Sequence, residues 1–212
     1  MKSTKQNVFL SVILAVCLAS SANASIVNFK YTGIITSPNP VLAVGTPFSG
    51  QFSYDDSLAG TSMGDATLYS PVDFTLAIDG KNIDFTGVIQ IDDNSLLGYL
   101  PGADIIQIGR AGLHEMLNGF VLEAVEIDLI DLAGTALTNE RLPTSYNLAD
   151  WPASGKNLVL REQGDDMPIF GRIDTITTVP VPASAWLFVS GLAGLTGFSR
   201  YGFATRAIAS HS

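Results

Sequence analysis

Val72-Asp73-Phe74-Thr75-Leu76-Ala77-Ile78-Asp79-Gly80-Lys81-Asn82-Ile83-Asp84-Phe85 settles the class of fold. In an extended chain successive side chains point to opposite faces, so Val72, Phe74, Leu76 and Ile78 share one face while Asp73, Thr75 and Asp79 take the other. Asp79-Gly80 then supplies the two residues that tolerate the left-handed backbone of a tight hairpin turn. Ile83, Phe85, Ile89 and Ile91 carry the alternation back on a returning strand.

The same period extends outward on both sides. Upstream, Val27, Phe29, Tyr31 and Ile35 face away from Asn28, Lys30 and Thr32, and Phe48, Phe52 and Tyr54 alternate with Ser49, Gln51 and Ser53. Downstream, strands are expected over Ile105–Ile108, Phe120–Leu132, Leu158–Arg161 and Arg172–Thr178. The apolar face changes from Phe120 and Leu122 to Val125, Ile127 and Leu129, which a bulge near Ala124-Val125 would explain. A short helix is conceivable around Gly112–Leu117. Asn139–Lys156, with Pro143 and Pro152, reads as a long connection within one domain. Short strands separated by Gly, Pro and Asp turns point to an all-β, antiparallel β-sandwich of jelly-roll type.

Charge narrows the partners. Seven basic residues stand against all 20 acidic ones between Ser25 and Thr178, a balance of −13 against −9 for the whole chain. Such a surface repels nucleic acid and anionic membranes and favours cations. Cys17 is the only cysteine, so this stretch must be stable without a disulfide. A cofactor is not expected.

The two ends of the chain carry a different chemistry. Lys2 and Lys5, the apolar run Val8–Leu18 and Ala22-Asn23-Ala24 form a secretory signal peptide over residues 1–24, with cleavage between Ala24 and Ser25. Cys17 follows the branched Val16, where lipoprotein processing demands a small residue, so it reads as part of the apolar signal core. At the other end an uncharged run from Ala183 to Phe198 follows Pro180 and Pro182, and Arg200 closes it. Pro182 suits a first helical turn, and Pro182–Phe198 would be about 25 Å long as a helix. That is at the short end for a hydrocarbon core of about 30 Å. Trp186 and Arg200 sit where interfacial anchors are found. One C-terminal transmembrane helix is therefore expected within residues 179–200, with residues 201–212 as a short cytoplasmic tail.

Val179-Pro180-Val181-Pro182-Ala183-Ser184-Ala185-Trp186-Leu187-Phe188, with Ser190-Gly191-Leu192, Gly194-Leu195 and Gly197, resembles the PEP-CTERM sorting signal of Gram-negative bacteria. The variant is the one built on Val-Pro-Leu-Pro-Ala (VPLPA-CTERM), because Val181 replaces the acidic residue of the commoner motif. Arg200 and Arg206 stand where the family carries a denser basic cluster. The resemblance implies secretion through the translocon, transient residence at the inner membrane, and processing by a membrane enzyme, an exosortase. The family's products reach the cell surface or the extracellular matrix, in association with exopolysaccharide and biofilm. Val44–Asp56 and Ile127–Leu142 also resemble ectodomains of such sorted proteins. The sorting residues carried by the resemblance are Val179, Pro180, Val181, Pro182, Ala183, Trp186 and Arg200.

Few residues in the acidic domain suggest chemistry. His114-Glu115 lacks the partners that zinc requires, and no Gly-x-Ser-x-Gly elbow supports a triad around that histidine. Asp55-Asp56 with Asp65, Asp92-Asp93-Asn94 and Asp165-Asp166 fall at turns. Of these Asp55, Asp56, Asp92 and Asp93 are calcium candidates, although none has EF-hand spacing and such pairs also serve as solvated turn formers. Glu123 and Glu126, three apart on a strand, face opposite ways unless a bulge intervenes, which argues against glycosidase chemistry. The expectation is an exported β-domain that is not an enzyme. The alternative is a carbohydrate-binding or glycan-hydrolysing domain, which a row of exposed aromatics or convergent carboxylates in a cleft would support.

Overall fold

Residues 25–95, 100–164 and 167–180 are described by a computed structural model. The chain divides into two compact units, Met1–Thr178 and Val179–Ser212. Among the described residues the first contains nine strands: β1 (Ile26–Ile35), β2 (Pro47–Asp55), β3 (Thr61–Met63), β4 (Ala66–Ile78), β5 (Lys81–Asp92), β6 (Asp104–Leu117), β7 (Phe120–Asp131), β8 (Lys156–Glu162) and β9 (Ile169–Thr178). The expected alternation is visible in burial. Phe29, Tyr31 and Ile35 are fully buried, as are Val72, Phe74, Leu76 and Ile78 on β4.

The expected sandwich is not what forms. Every pairing is antiparallel, and β2 bonds to β4 from Phe48↔Ile78 to Ser53↔Asp73 while β1 bonds to both β2 and β9. The sheet therefore closes on itself as an eight-strand barrel, with the three-residue β3 added beside the start of β4. The physical reason for the correction is simple. A strand in a two-layer sandwich and a strand in a barrel both bury one face, so period two is identical in each. Closure depends on which strands pair, and β1 with β9 is a contact between the two ends of the domain.

Two smaller expectations resolve in opposite ways. The bulge foreseen on β7 is present, where the pairing with β8 slips between Leu122 and Ala124. Gly112–Leu117 is not a helix but the end of β6, which pairs Leu117 with Phe120 across a slip after Ala111. The expected transmembrane helix, Pro182–Phe198, lies outside the described residues, as do the signal peptide and the tail. Among the described residues no helix is long and apolar enough to cross a membrane.

The barrel interior is filled by aliphatic side chains, with a cluster of rings from β1, β2, β4 and β5. Phe29 stacks on Phe52 with centroids 5.0 Å apart, and Phe74 stacks on Phe85 at 4.7 Å. Tyr31 crosses the interior to donate to the Thr75 carbonyl at 2.6 Å. That crossing needs a glycine beneath it, since a Cβ on Gly50 would lie 2.3 Å from the Tyr31 hydroxyl oxygen and 2.0 Å from Thr75 O.

The strands leave two rims. At one, which we call the turn rim, neighbouring strands are joined at Asp79-Gly80 and Asn118-Gly119, and the four residues have φ of 46°, 73°, 50° and 96°. These are the left-handed values that two-residue hairpins require. At the opposite rim Asp92, Asp104 and Asp131 end or begin their strands, and the connection from β7 to β8 folds over the opening. We call that connection, residues 132–155, the plug.

Candidate functional site

The plug has no repeating pattern, and its course is fixed by acceptors on the barrel. Asp131 accepts from Ala133 N at 3.0 Å, from Thr135 N at 2.9 Å and from the Thr135 hydroxyl at 2.9 Å, which turns the chain as it leaves β7. Those bonds hold its carboxyl below the usual range. Asp104 accepts from Leu137 N at 2.7 Å with one oxygen and from Asn94 N at 3.0 Å with the other. It therefore joins the plug to the β5–β6 connection. The Glu140 carboxylate accepts from the Thr67 hydroxyl, and its backbone carbonyl from the Tyr69 hydroxyl at 2.6 Å.

Further along, Tyr146 enters the barrel mouth. Its ring stands edge-on to Phe29 at 4.8 Å and to Phe52 at 5.6 Å. Its hydroxyl lies 3.2 Å from that of Tyr54, which also donates to the Pro143 carbonyl. Burial pushes both phenols up, so they stay protonated. Asn147 then caps a short 3-10 turn over Leu148–Asp150, accepting from Ala149 N at 3.2 Å and donating to Asp150 at 2.9 Å.

So pinned, the plug lines an open cup of about 390 Å³ together with Ile106 of β6. Ile106, Leu137 and Trp151 give it apolar lining, and Trp151 is only 6% exposed. Thr144, Ser145 and Arg141 add polar groups, and their side chains make no hydrogen bond to the described residues. Asp150 is the one carboxylate among the residues lining the cup. A site with a single carboxylate and no histidine has groups for holding a ligand but lacks the acid pair of a glycosidase.

The residues singled out from sequence do not gather here. Asp55 accepts from Ser57 N at 2.8 Å and from its hydroxyl at 2.6 Å, bonds that lower its pKa and make it a turn former. Asp56 accepts from Ser25 N at 3.1 Å, tying the start of the domain to the end of β2. Asp93 accepts from Asn94 at 2.7 Å. Asp92 is fully buried, takes a bond of 3.0 Å from Gln90 on one oxygen, and has no partner on the other among the described residues. Burial raises its pKa, and the charges of Asp65 and Glu140 add to the effect. Among the described residues no group of three His, Cys, Asp or Glu side chains is arranged to hold a metal. Asp165 and Asp166 lie outside them.

His114 and Glu115 are exposed on the irregular part of β6. Glu123 is exposed at the β7 bulge, and Glu126 instead faces Arg161 at 3.7 Å. Sequence reading missed Asp128, which is buried outside the barrel wall beside Gln107, a donor at 3.2 Å. Burial, followed by the Glu126 charge, pushes its carboxyl up to about 6. Its signal was an acid between Ile127 and Leu129, where alternation predicts a solvated residue. Phe170 is the one exposed aromatic among the described residues, so a row of such rings is not found there.

Ser25, Val179 and Pro180 flank the barrel as irregular chain, while Ala24, Val181, Pro182, Ala183, Trp186 and Arg200 lie outside the described residues. No protein-family model matches the chain, and no curated protein or solved structure matches it either.

Proposed function

We propose that this chain is an exported cell-surface or matrix protein of a Gram-negative bacterium. Residues 1–24 direct it to the translocon. The Val-Pro-Val-Pro-Ala motif, its hydrophobic run and Arg200 hold it transiently at the inner membrane for an exosortase, and the barrel is the delivered domain. The barrel binds rather than catalyses, in association with exopolysaccharide or biofilm.

The observation that supports this reading is where the fold begins and ends. β1 starts at Ile26, directly after the expected cleavage before Ser25, and the compact unit ends at Thr178, directly before the Val179 motif. The barrel closes by pairing those two ends, Phe29 with Thr178. Among the described residues, the strands and the buried core thus lie between the two expected signals. The experiment follows the size and location of the protein in cells with and without the sorting enzyme. Loss of the segment after Val179 that depends on the enzyme is expected. Full-length chains ending at Ser212 outside both strains would overturn the proposal.

A further inference from the structure

We propose that the cup in the plug binds an uncharged sugar residue of a polysaccharide. The inference rests on the reading of the barrel as a surface domain associated with exopolysaccharide and gives that association a site. About 390 Å³ lies within the range of small-molecule pockets, roughly 300 to 1,000 Å³, and at its lower end, where a single sugar ring fits.

The lining favours a polyhydroxyl ring over other small ligands. A sugar presents a face of C–H groups, which suits the partly exposed Leu137, and an equator of hydroxyls, which needs donors and acceptors set around it. The Thr144 and Ser145 hydroxyls can do both, and the Arg141 guanidinium donates. Asp150 accepts from Asn147 through one oxygen, and its other oxygen is unpaired among the described residues. None of these groups must break an internal bond to meet a ligand.

Charge removes the rivals. Arg141 and Asp150 cancel within the cup, and the surrounding domain carries −13, so a phosphate or uronate would approach against the field. A divalent cation would find one carboxylate where it needs several oxygens. Anchors at Asp104, Glu140 and Tyr146 hold the walls before any ligand arrives, which lowers the ordering cost of binding.

The test uses the full chain with Trp186→Phe, which leaves Trp151 as the only indole. Its emission is titrated with gluco-, manno- and galacto-oligosaccharides and with an oligogalacturonate. Calorimetry of the same mixtures covers binding that leaves the emission unchanged. We expect saturable binding of at least one neutral oligosaccharide. The double variant Arg141→Ala/Ser145→Ala should bind it at least tenfold more weakly with an unchanged melting temperature. No saturable binding of any neutral oligosaccharide, binding of the uronate alone, or equal affinity in the double variant would each overturn the inference. Sorting is read from cell fractions and sugar binding from purified protein, so either can fail without the other.

Discussion

The two rims of the barrel are closed by different physics. At the turn rim the strands close the barrel themselves. Asp79-Gly80 and Asn118-Gly119 reverse the chain in two residues each, and the tips meet where the Asn118 amide donates to the Asp79 carboxylate. Leu42 and Leu117 fill the space beneath. At the plug rim the closing segment shares no ladder with the strands it covers. Its position comes from bonds distant in sequence, such as Asp104 to Leu137, 33 residues apart, and Tyr54 to Pro143, 89 apart. One rim is written in neighbouring residues. The other exists only once the barrel has formed, and that leaves it free to carry a site.

If the plug is held mainly by Tyr146, removing that ring should cost most. Tyr146→Ala deletes two edge-on ring contacts and leaves the Tyr54 hydroxyl without one neighbour. We expect a loss of about 2–4 kcal/mol, below the full range for a buried aromatic because Tyr146 is only partly enclosed. Urea denaturation measures it. Hydrogen exchange should show the plug amides losing protection well before those of β4 and β5. Equal loss everywhere would mean that both rims open as one unit.

Asp128 probes the barrel wall below the plug. Its pKa is raised from the usual 3.8 to about 6. Between those values the folded chain holds a proton that the unfolded chain has released. Stability therefore falls as pH rises through this window and is flat above it with respect to this group. Asp128→Asn removes the charge and keeps the acceptor for Gln107. It should stabilise the protein by about 1–3 kcal/mol at neutral pH and by almost nothing near pH 3.5. Denaturation midpoints at the two pH values decide the matter, and a gain of equal size at both would show that burial of charge is not the cause.

The turn rim should respond more mildly and only locally. A Cβ at Gly80 meets nothing within 4 Å, yet the backbone there has φ of 73°. Gly80→Ala is thus a pure backbone test, expected to cost about 1 kcal/mol in thermal or urea denaturation without altering exchange in the plug.

These differences also account for what could be read in advance. The alternation in β1, β2, β4 and β5 specified strands because each buries one face regardless of its neighbours. Asp79-Gly80 named its own hairpin. Asn118-Gly119 carries the same signal, but Gly112 and the slip after Ala111 broke the period of β6 and let a helix look plausible. Barrel closure was illegible because Phe48–Ile78 and Phe29–Thr178 are pairings between segments that no local pattern joins. The cup was illegible for a related reason. Arg141, Ser145 and Trp151 are ordinary loop residues until Asp104, Glu140 and Tyr146 place them. The acid pairs carried two readings in sequence, calcium ligand and turn former, and at Asp55 the fold shows the bonds of a turn former.

The smallest expected effect lies where the domain begins. Ser25 and Asp56 are joined twice, Ser25 N to the Asp56 carboxylate at 3.1 Å and Asp56 N to the Ser25 carbonyl at 3.1 Å. In a chain cleaved after Ala24, Ser25 N is an ammonium group, and the first bond becomes an ion pair. Both residues are exposed, so solvent and salt screen the attraction. Asp56→Asn keeps an acceptor oxygen and removes only the charge. In the cleaved protein the variant should lose about 0.2–1 kcal/mol at low salt and less at high salt. The same substitution in an uncleaved chain, where Ser25 N is an amide, should be neutral within error. Melting temperatures of the four proteins at two salt concentrations test this. An effect that is equal in cleaved and uncleaved chains, or indifferent to salt, would mean that Asp56 serves the β2 turn alone and that the plug rim gains nothing from processing.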